Sequence, residues 1–275
     1  MPELELKMEI KIPFQKEFRI WAKWFELALQ GYMTYRTDLI IKSLGFIIFG
    51  LFSPLLAILI YSVSKGIAGW SIGELLLLQG TLILVMGIES LCTGLVSWKT
   101  MEDVREGAYD LQMVRPMKPM RLATATGADP DQIIRPILGI IIIIAAISKL
   151  DTPISAANFL LYLFLIFIGV LFFYSLRAMI GAMSFWFIRT YSLANMLDTI
   201  KQAGRYPISI YGASGTFLLT FVLPVGAAAF YPASALIGRI TPTSIIGATI
   251  IVLVMVSISM LMWHNAIKKY ASAGG

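Results

Sequence analysis

Six stretches of this chain, 39–63, 74–98, 134–148, 157–188, 207–223 and 243–263, run apolar, and none holds more than two charged residues. Inside a bilayer no water satisfies the backbone, so a chain that crosses must pair its N–H and C=O groups internally, as a helix or as a closed barrel. Barrel strands alternate apolar and polar positions over about ten residues, whereas these runs are continuous. The expected fold class is therefore an all-α integral membrane protein with six transmembrane helices, in a single transmembrane domain over residues 1–275. Composition agrees, since 14% of residues are charged against about a quarter in soluble domains. A net charge of +6 would suggest nucleic acid for a soluble protein. Here it reads as basic loops facing anionic lipid, so membrane lipids and no nucleic acid are the expected partners.

Lys and Arg set the orientation. The arm before residue 37 holds six, Lys99–Arg135 six, Arg189–Arg205 three and the tail two, or 17 together, while Lys65, Lys149 and Arg239 are alone in the other loops. Six crossings put the first four segments on one side. The excess of positive charge makes that side cytoplasmic, with both termini there. No cleavable signal is expected, because the N-terminus mixes acids and bases and its first long apolar run starts near Leu39.

Within the arm 1–37, Phe14, Phe18, Trp21, Phe25, Ala28 and Tyr32 recur at steps of three and four, which is one face of a helix, and Pro13 suits its first turn. Lys16, Glu17, Arg19, Lys23, Glu26 and Gln30 take much of the rest. Such a helix lies in the membrane interface or packs on a soluble partner; the neighbouring span favours the interface. Residues 224–239 hold Pro224, Tyr231 and Pro232 among small residues. They read as a re-entrant segment before the last helix, in preference to the kinked end of the fifth span. Broken backbone at that depth needs protein or a water-filled cavity around it.

Groups able to do chemistry are few. There is no G-x-x-x-x-G-K-[ST], so no P-loop nucleotide site. His264 and Cys92 are the only residues of their kinds; no metal centre, thiol–imidazole pair or intrachain disulfide is expected, and no enzyme activity. Two ionisable groups sit inside spans, Glu89 about 21 Å along the second and Arg177 about 28 Å along the fourth. A charge in lipid is costly. Either the two pair, holding spans in register or lining a route, or Arg177 snorkels to the interface and Glu89 is protonated or hydrated. Gly80, Gly87 and Gly94 share a face of the second span and allow close helix approach, within the chain or to another subunit; Gly212, Ala213, Ser214 and Gly215 offer the same in the fifth. Phe172, Phe173, Tyr174, Phe185 and Trp186 would suit an apolar substrate path or face lipid.

Between the second and third runs lies a polar island, Val104–Met120. A short helix over Thr100–Glu106 is expected to end at Gly107, and Arg115-Pro116 and Lys118-Pro119 to keep the following backbone extended. The outcome is an ordinary solvated loop or a stiff handle joining two spans, by which a soluble motor could tilt both.

In order and spacing, Arg105, Glu106, Gly107, Asp110, Arg115, Pro116 and Pro119 resemble the loop R-x-G-x-x-D-x-x-L-x-R-P-x-x-P of type-2 ATP-binding-cassette exporter permeases. GRYPISIY at Gly204–Tyr211 and LPVGAAAFYPA at Leu223–Ala233 resemble two further blocks of that family, and the likeness runs from about Arg36 to the tail. It implies a permease subunit of an ATP-driven exporter in the cell membrane, paired with a second permease as a homodimer or with a sister permease, and working with separate ABC ATPase subunits. No cofactor is implied in this chain; ATP and Mg belong to the partner. Glu102, Arg105, Glu106, Gly107, Asp110, Arg115, Pro116 and Pro119 would form the ATPase-coupling loop. Gly204, Arg205, Tyr206 and Pro207 would form a structural motif at the cytoplasmic gate, and Pro224, Tyr231 and Pro232 the re-entrant segment. The arm would be a connecting helix at the inner interface, and cargo such as amphipathic drugs or lipids would leave between the permeases. Two rivals remain: a secondary transporter driven by an ion gradient through Glu89 and Arg177, and a membrane scaffold that transports nothing.

Overall fold

The computed structural model describes residues 14–34, 36–64, 66–67, 69–150, 153–187 and 190–270. Pro13, Lys65, Ile188 and Arg189, which entered the reading above, lie outside them, as do the side chains of Phe14, Lys16 and Glu17. Every regular element among the described residues is helical, as the apolar runs require. The chain opens with α1 (Phe14–Thr34) and α2 (Arg36–Val63), then α3 (Ile72–Thr93), α4 (Val96–Arg105), α5 (Tyr109–Met113) and α6 (Pro119–Thr126). After them come α7 (Ile134–Ile147), α8 (Ala156–Met183), α9 (Tyr191–Gln202), α10 (Gly212–Phe217), α11 (Phe230–Leu236) and α12 (Pro242–Lys269).

Among the described residues five helices are long and apolar enough to cross a membrane: α2, α3 continued by α4, α7 with the turn before it, α8 and α12. The fifth expected span, 207–223, differs. Its helical part, Ile208–Thr220, would rise only about 20 Å, and it meets Val225–Leu236 at 91°. The sequence gives the reasons. Gly212 adopts φ 67°, Leu218–Val222 is wound as a π-turn, and Pro224 brings no N–H to continue the ladder. This bent pair makes the sixth crossing only when its two arms are counted as one span. Val225–Ala229 and Tyr231–Leu236 are buried, so protein surrounds the broken backbone, which a broken span and a re-entrant segment both require.

α3 is the most buried of the five long helices, while α2 and α12 are the least. It starts at a reciprocal cap, in which Ser71 Oγ accepts from the Glu74 N–H and Glu74 Oε2 accepts from the Ser71 N–H at 2.9 Å, satisfying two first-turn donors. Along it, Gly80 faces Ile143, Gly87 faces Pro136 and Gly94 faces Asp129. Each step of seven down α3 is thus matched by seven back toward the start of α7, an antiparallel pair in fixed register. The approach is at backbone distance: a Cβ on Gly87 would stand 2.5 Å from Pro136 N, and one on Gly139 2.6 Å from Leu84 N. The glycine heptad therefore serves packing within the chain. Gly212 of the other small-residue run meets nothing within 4 Å.

The charged loops sort to two ends as the Lys/Arg count requires. At one, Trp24 lies under Lys99, Trp98 meets Tyr191 and Tyr109 meets Tyr270; this is the basic end. At the other, Gly73 touches Lys149, Trp70 meets Phe230, and Arg239 binds Glu74 at 2.8 Å. Arg135, Lys201 and Arg205 are exceptions: Arg135 and Arg205 line one cavity beside α3, and Lys201 reaches Glu89.

Gly87→Leu places a branched side chain against Pro136 with no room to relax, and overpacking of this kind costs roughly 1–3 kcal/mol or more. A large fall in thermal unfolding temperature in detergent is expected for it, whereas Gly31→Ala, whose Cβ would meet nothing within 4 Å, should leave that temperature unchanged or slightly raised.

Candidate functional site

Glu89 is completely buried on α3. Arg177 on α8 reaches it with two arms: Nε donates to Oε1, and Nη2 donates to Oε2 at 3.2 Å. Lys201 on α9 donates to Oε2 at 3.0 Å, and Thr93 donates to Oε1 at 3.3 Å. The two intramembrane charges foreseen from the sequence are therefore paired, and Arg177 does not snorkel away. Both acceptor atoms of the carboxylate are engaged, the arrangement that makes a buried charge tolerable.

The third member was missed because Lys201 sits in a polar segment that reads as a loop. A signal was present: Ala194, Leu197 and Lys201 recur at three and four, and all three are buried. α9 climbs against α4 and α8 from Tyr191 near Trp98 to Lys201, which reaches Glu89 on α3, and the turn after it meets α3. Gly204 then packs on Leu82 and Val225, with a Cβ position 3.1 and 3.0 Å from them. Lys201 and Arg205 thus sit alongside α3 and not in a loop at the basic end, which corrects their place in the charge count. Tyr206 is half-buried and Pro207 buried beside them.

The triad also bridges a break in a helix. Between α3 and α4 the Leu95 N–H turns to Gly127 O at 2.8 Å, and Leu91 O accepts from the Asp129 N–H instead. Gly94 O, freed at the break, accepts from Arg177 Nη1 at 2.8 Å. One guanidinium thereby holds both the acid and the loose carbonyl.

Beyond the break, α4 runs to Arg105, longer than the short Thr100–Glu106 helix expected. Gly107 ends it at φ 71°, the left-handed conformation that glycine adopts without strain. Pro116 is exposed, and Lys118 is extended as expected. Pro119, however, opens α6, because the first helical position needs no N–H. Tyr109 is 2% exposed and inserts edge-on against Phe185 at 4.7 Å and Tyr270 at 5.6 Å, with Trp263 behind Phe185. Trp263 Nε1 in turn donates to Ala178 O on α8 at 2.7 Å. The projection is therefore bolted to the ends of α8 and α12. Its outer side is exposed: Leu111 at 67%, Val114 at 80%, with Glu102, Arg105, Glu106, Asp110, Arg115 and Pro116 around them. Of the aromatic residues considered from sequence, Phe172 and Phe173 are fully buried, Phe185 belongs to this cluster, Tyr174 is half-buried and Trp186 is exposed, so they do not line one common path.

A second polar node joins α1 to the start of α7. Tyr32 donates to Asp129 Oδ1 at 2.9 Å, Gln132 donates to both Asp129 and Asp131, and Lys42 reaches Asp131 at 3.3 Å. Burial, then the neighbouring Asp131, pushes the Asp129 carboxyl up to about 6. Cys92 is a half-buried free thiol and His264 is exposed. No group of His, Cys, Asp and Glu suited to a metal ion occurs among the described residues.

Crossing helices around a buried ion triad, with a rigid projection at one end, define a polytopic membrane protein. The chain belongs to the ABC-2 family of transporters: the family model described as ABC-2 family transporter protein matches residues 45–274. No curated protein and no solved structure matches it. The chain is accordingly a permease-type membrane subunit, which carries transport and not catalysis, of a family whose members work with ATPase partners.

Glu89→Gln leaves two cations facing one neutral amide, and breaking a buried pair in this way costs roughly 3–5 kcal/mol. Thermal unfolding in detergent should show it, with a smaller loss for Lys201→Met, in which Arg177 still neutralises the acid. Asp129 gives a pH test. Its carboxyl holds a proton to higher pH when folded than when unfolded, so its ionisation costs stability progressively as pH rises from about 4 to 6. Asp129→Asn should raise the unfolding temperature at pH 7.5, and the gain should disappear on acidification toward pH 4.

Proposed function

We propose that this chain is the membrane-spanning half of an ATP-driven exporter of the cell membrane. Its basic end would face the cytoplasm, and a second permease and separate ATPase subunits would complete the machine. The observation that carries the reading is the projection. Tyr109 fixes it to α8 and α12 while Leu111, Val114, Arg115 and Pro116 stand free of the bundle as a rigid seat for a soluble motor. Movement of that motor would pass through Tyr109 to two helices and through α4 to a third. ATP and Mg reside on the motor. The exposed sides of α2 and α10 are surfaces that a second permease or lipid would cover, and α1, with its stacked Phe18, Trp21 and Phe25, would lie at the inner interface. Both Glu89 oxygens are committed to Arg177 and Lys201, which favours this reading over a carrier that must release and rebind an ion there.

The test is co-purification with the ATPase encoded alongside, reconstituted in lipid. Leu111→Asp with Val114→Asp should weaken the complex by more than about tenfold, as loss of central interface anchors does. Tyr109→Ala should leave the ATPase bound but remove the effect of the permease on ATP turnover. Absence of a complex with every candidate ATPase would overturn the proposal.

A further inference from the structure

A cavity of about 160 Å3 lies between α2, α3, α7 and the turn after α9, next to the ion triad, since Gln202 of its wall follows Lys201, and away from the projection. Phe46, Phe49, Ser53, Gln79, Arg135 and Arg205 line it, and the remaining wall is apolar except for Gln202. Its volume is several times the ~30 Å3 share of one water in the liquid.

Three observations describe its occupant. Gln79 is 2% exposed, and neither its amide nitrogen nor its carbonyl oxygen has a hydrogen-bond partner among the described residues; Ser53 Oγ is buried and finds no partner among them either. Buried polar atoms are as a rule satisfied, and those left over at a cavity wall ask for something polar inside it. Two arginines line the same space, and neither forms an ion pair with a described residue. Arg135 lies over the Phe46 ring at 4.2 Å, an arrangement that leaves its N–H edge for an acceptor. Among the described residues no acid lines the cavity; the carboxylates that act on Arg135, Asp198, Asp131, Glu89 and Asp129, stand behind the wall, so the groups facing the space favour an anion. Finally, Phe49 belongs to the wall and is 76% exposed on the flank of α2, so the cavity reaches the apolar surface and a hydrocarbon chain can leave sideways.

We infer that this cavity binds an anionic amphiphile, a phosphate or carboxylate head on a hydrocarbon chain. Arg135 and Arg205 hold the head, Gln79 and Ser53 hydrogen-bond its polar linkage, and the chain passes Phe49 into the bilayer. Two sources supply this chemistry: a resident membrane lipid and the transported cargo. Only the choice between them rests on the exporter reading.

Native mass spectrometry of the full chain in detergent, titrated with lysophosphatidylglycerol, lysophosphatidylcholine and inorganic phosphate, tests the site. The anionic lysolipid should bind one to one, at least about tenfold tighter than the zwitterionic one, with phosphate alone not retained. Arg135→Gln with Arg205→Gln should abolish that preference and leave the phosphatidylcholine analogue unaffected. Should the double variant not fold by its thermal transition, Ser53→Leu decides: it fills the cavity, keeps both arginines, and should weaken the anionic lysolipid by about tenfold. Equal binding of the two lysolipids, no binding of the anionic one, or binding indifferent to Ser53→Leu would overturn the inference. In the complex with the ATPase, release of the bound anion on adding ATP identifies cargo and retention identifies a resident lipid; both sustain the site. If no ATPase complex forms, the exporter reading falls while the titration still decides the cavity.

Discussion

The carboxylate of Glu89 is the constraint that the rest of the arrangement answers to. An ionised acid with no access to water must be met by cations, and here they come from two other helices, Arg177 on α8 and Lys201 on α9. Together the three carry a net positive charge, with Asp198 4.0 Å from Lys201 as the nearest further acid. Ion pairs of this kind add little net stability compared with an apolar core, because desolvation consumes most of the Coulomb gain. What the triad supplies is register. α3, α8 and α9 cannot slide past one another by a turn without stranding a charge, and that penalty is far larger than the cost of moving an aliphatic contact.

Small residues do the complementary work on the other side of α3. Leu and Ile are as content in lipid as against each other, so apolar side chains alone give membrane helices little reason to associate. The glycines of α3 and Gly139 of α7 bring backbones together instead, where dispersion contacts are dense. Gly169 on α8 lets the bent stretch after Pro224 approach the same core, with Ala227 O and Ala228 Cα 2.9 Å from its Cβ position. α3 is thus held on one flank by charge and on the other by close packing, and α2 and α12 lie farther out.

The sequence made the crossings readable because apolar length is a one-dimensional property. It also made Glu89 and Arg177 readable, because depth along a helix follows from counting residues. The glycine heptad was readable as a face but not as to what it faced, which required knowing that α7 returns alongside. Lys201 and Arg205 were placed wrongly since a polar segment beside an apolar run looks the same whether it lies in water or climbs back into the protein. Only the period of Ala194, Leu197 and Lys201 separates the two. The fifth span shows a similar limit: its apolar length suggests a crossing, and the departures at Gly212 and Pro224 break it at positions that composition alone does not fix. Pro119 misled because a proline that prevents helix before it also favours helix after it. The partners of Tyr109 lie 76 and 161 positions away in sequence, a separation that no local pattern reports.

The break at Gly94–Leu95 connects the triad to the projection. An unbroken helix would carry any displacement of α4 rigidly into α3 and strain the Glu89 contacts. At the break the backbone ladder is interrupted, and the released carbonyls are held by Asp129 N and Arg177 Nη1. Tilting α4 loads first the bonds at its own start, Leu95 N–H to Gly127 O and Arg177 Nη1 to Gly94 O, while the pairing of Arg177 Nε with Glu89 lies one turn back in the intact helix. On the proposed reading, force from a motor therefore arrives at a joint whose second clamp, the Asp129 N–H, leads into α7 through the turn at Pro130. Two crossing helices are then driven from one point, and the buried acid keeps α3 seated while they move.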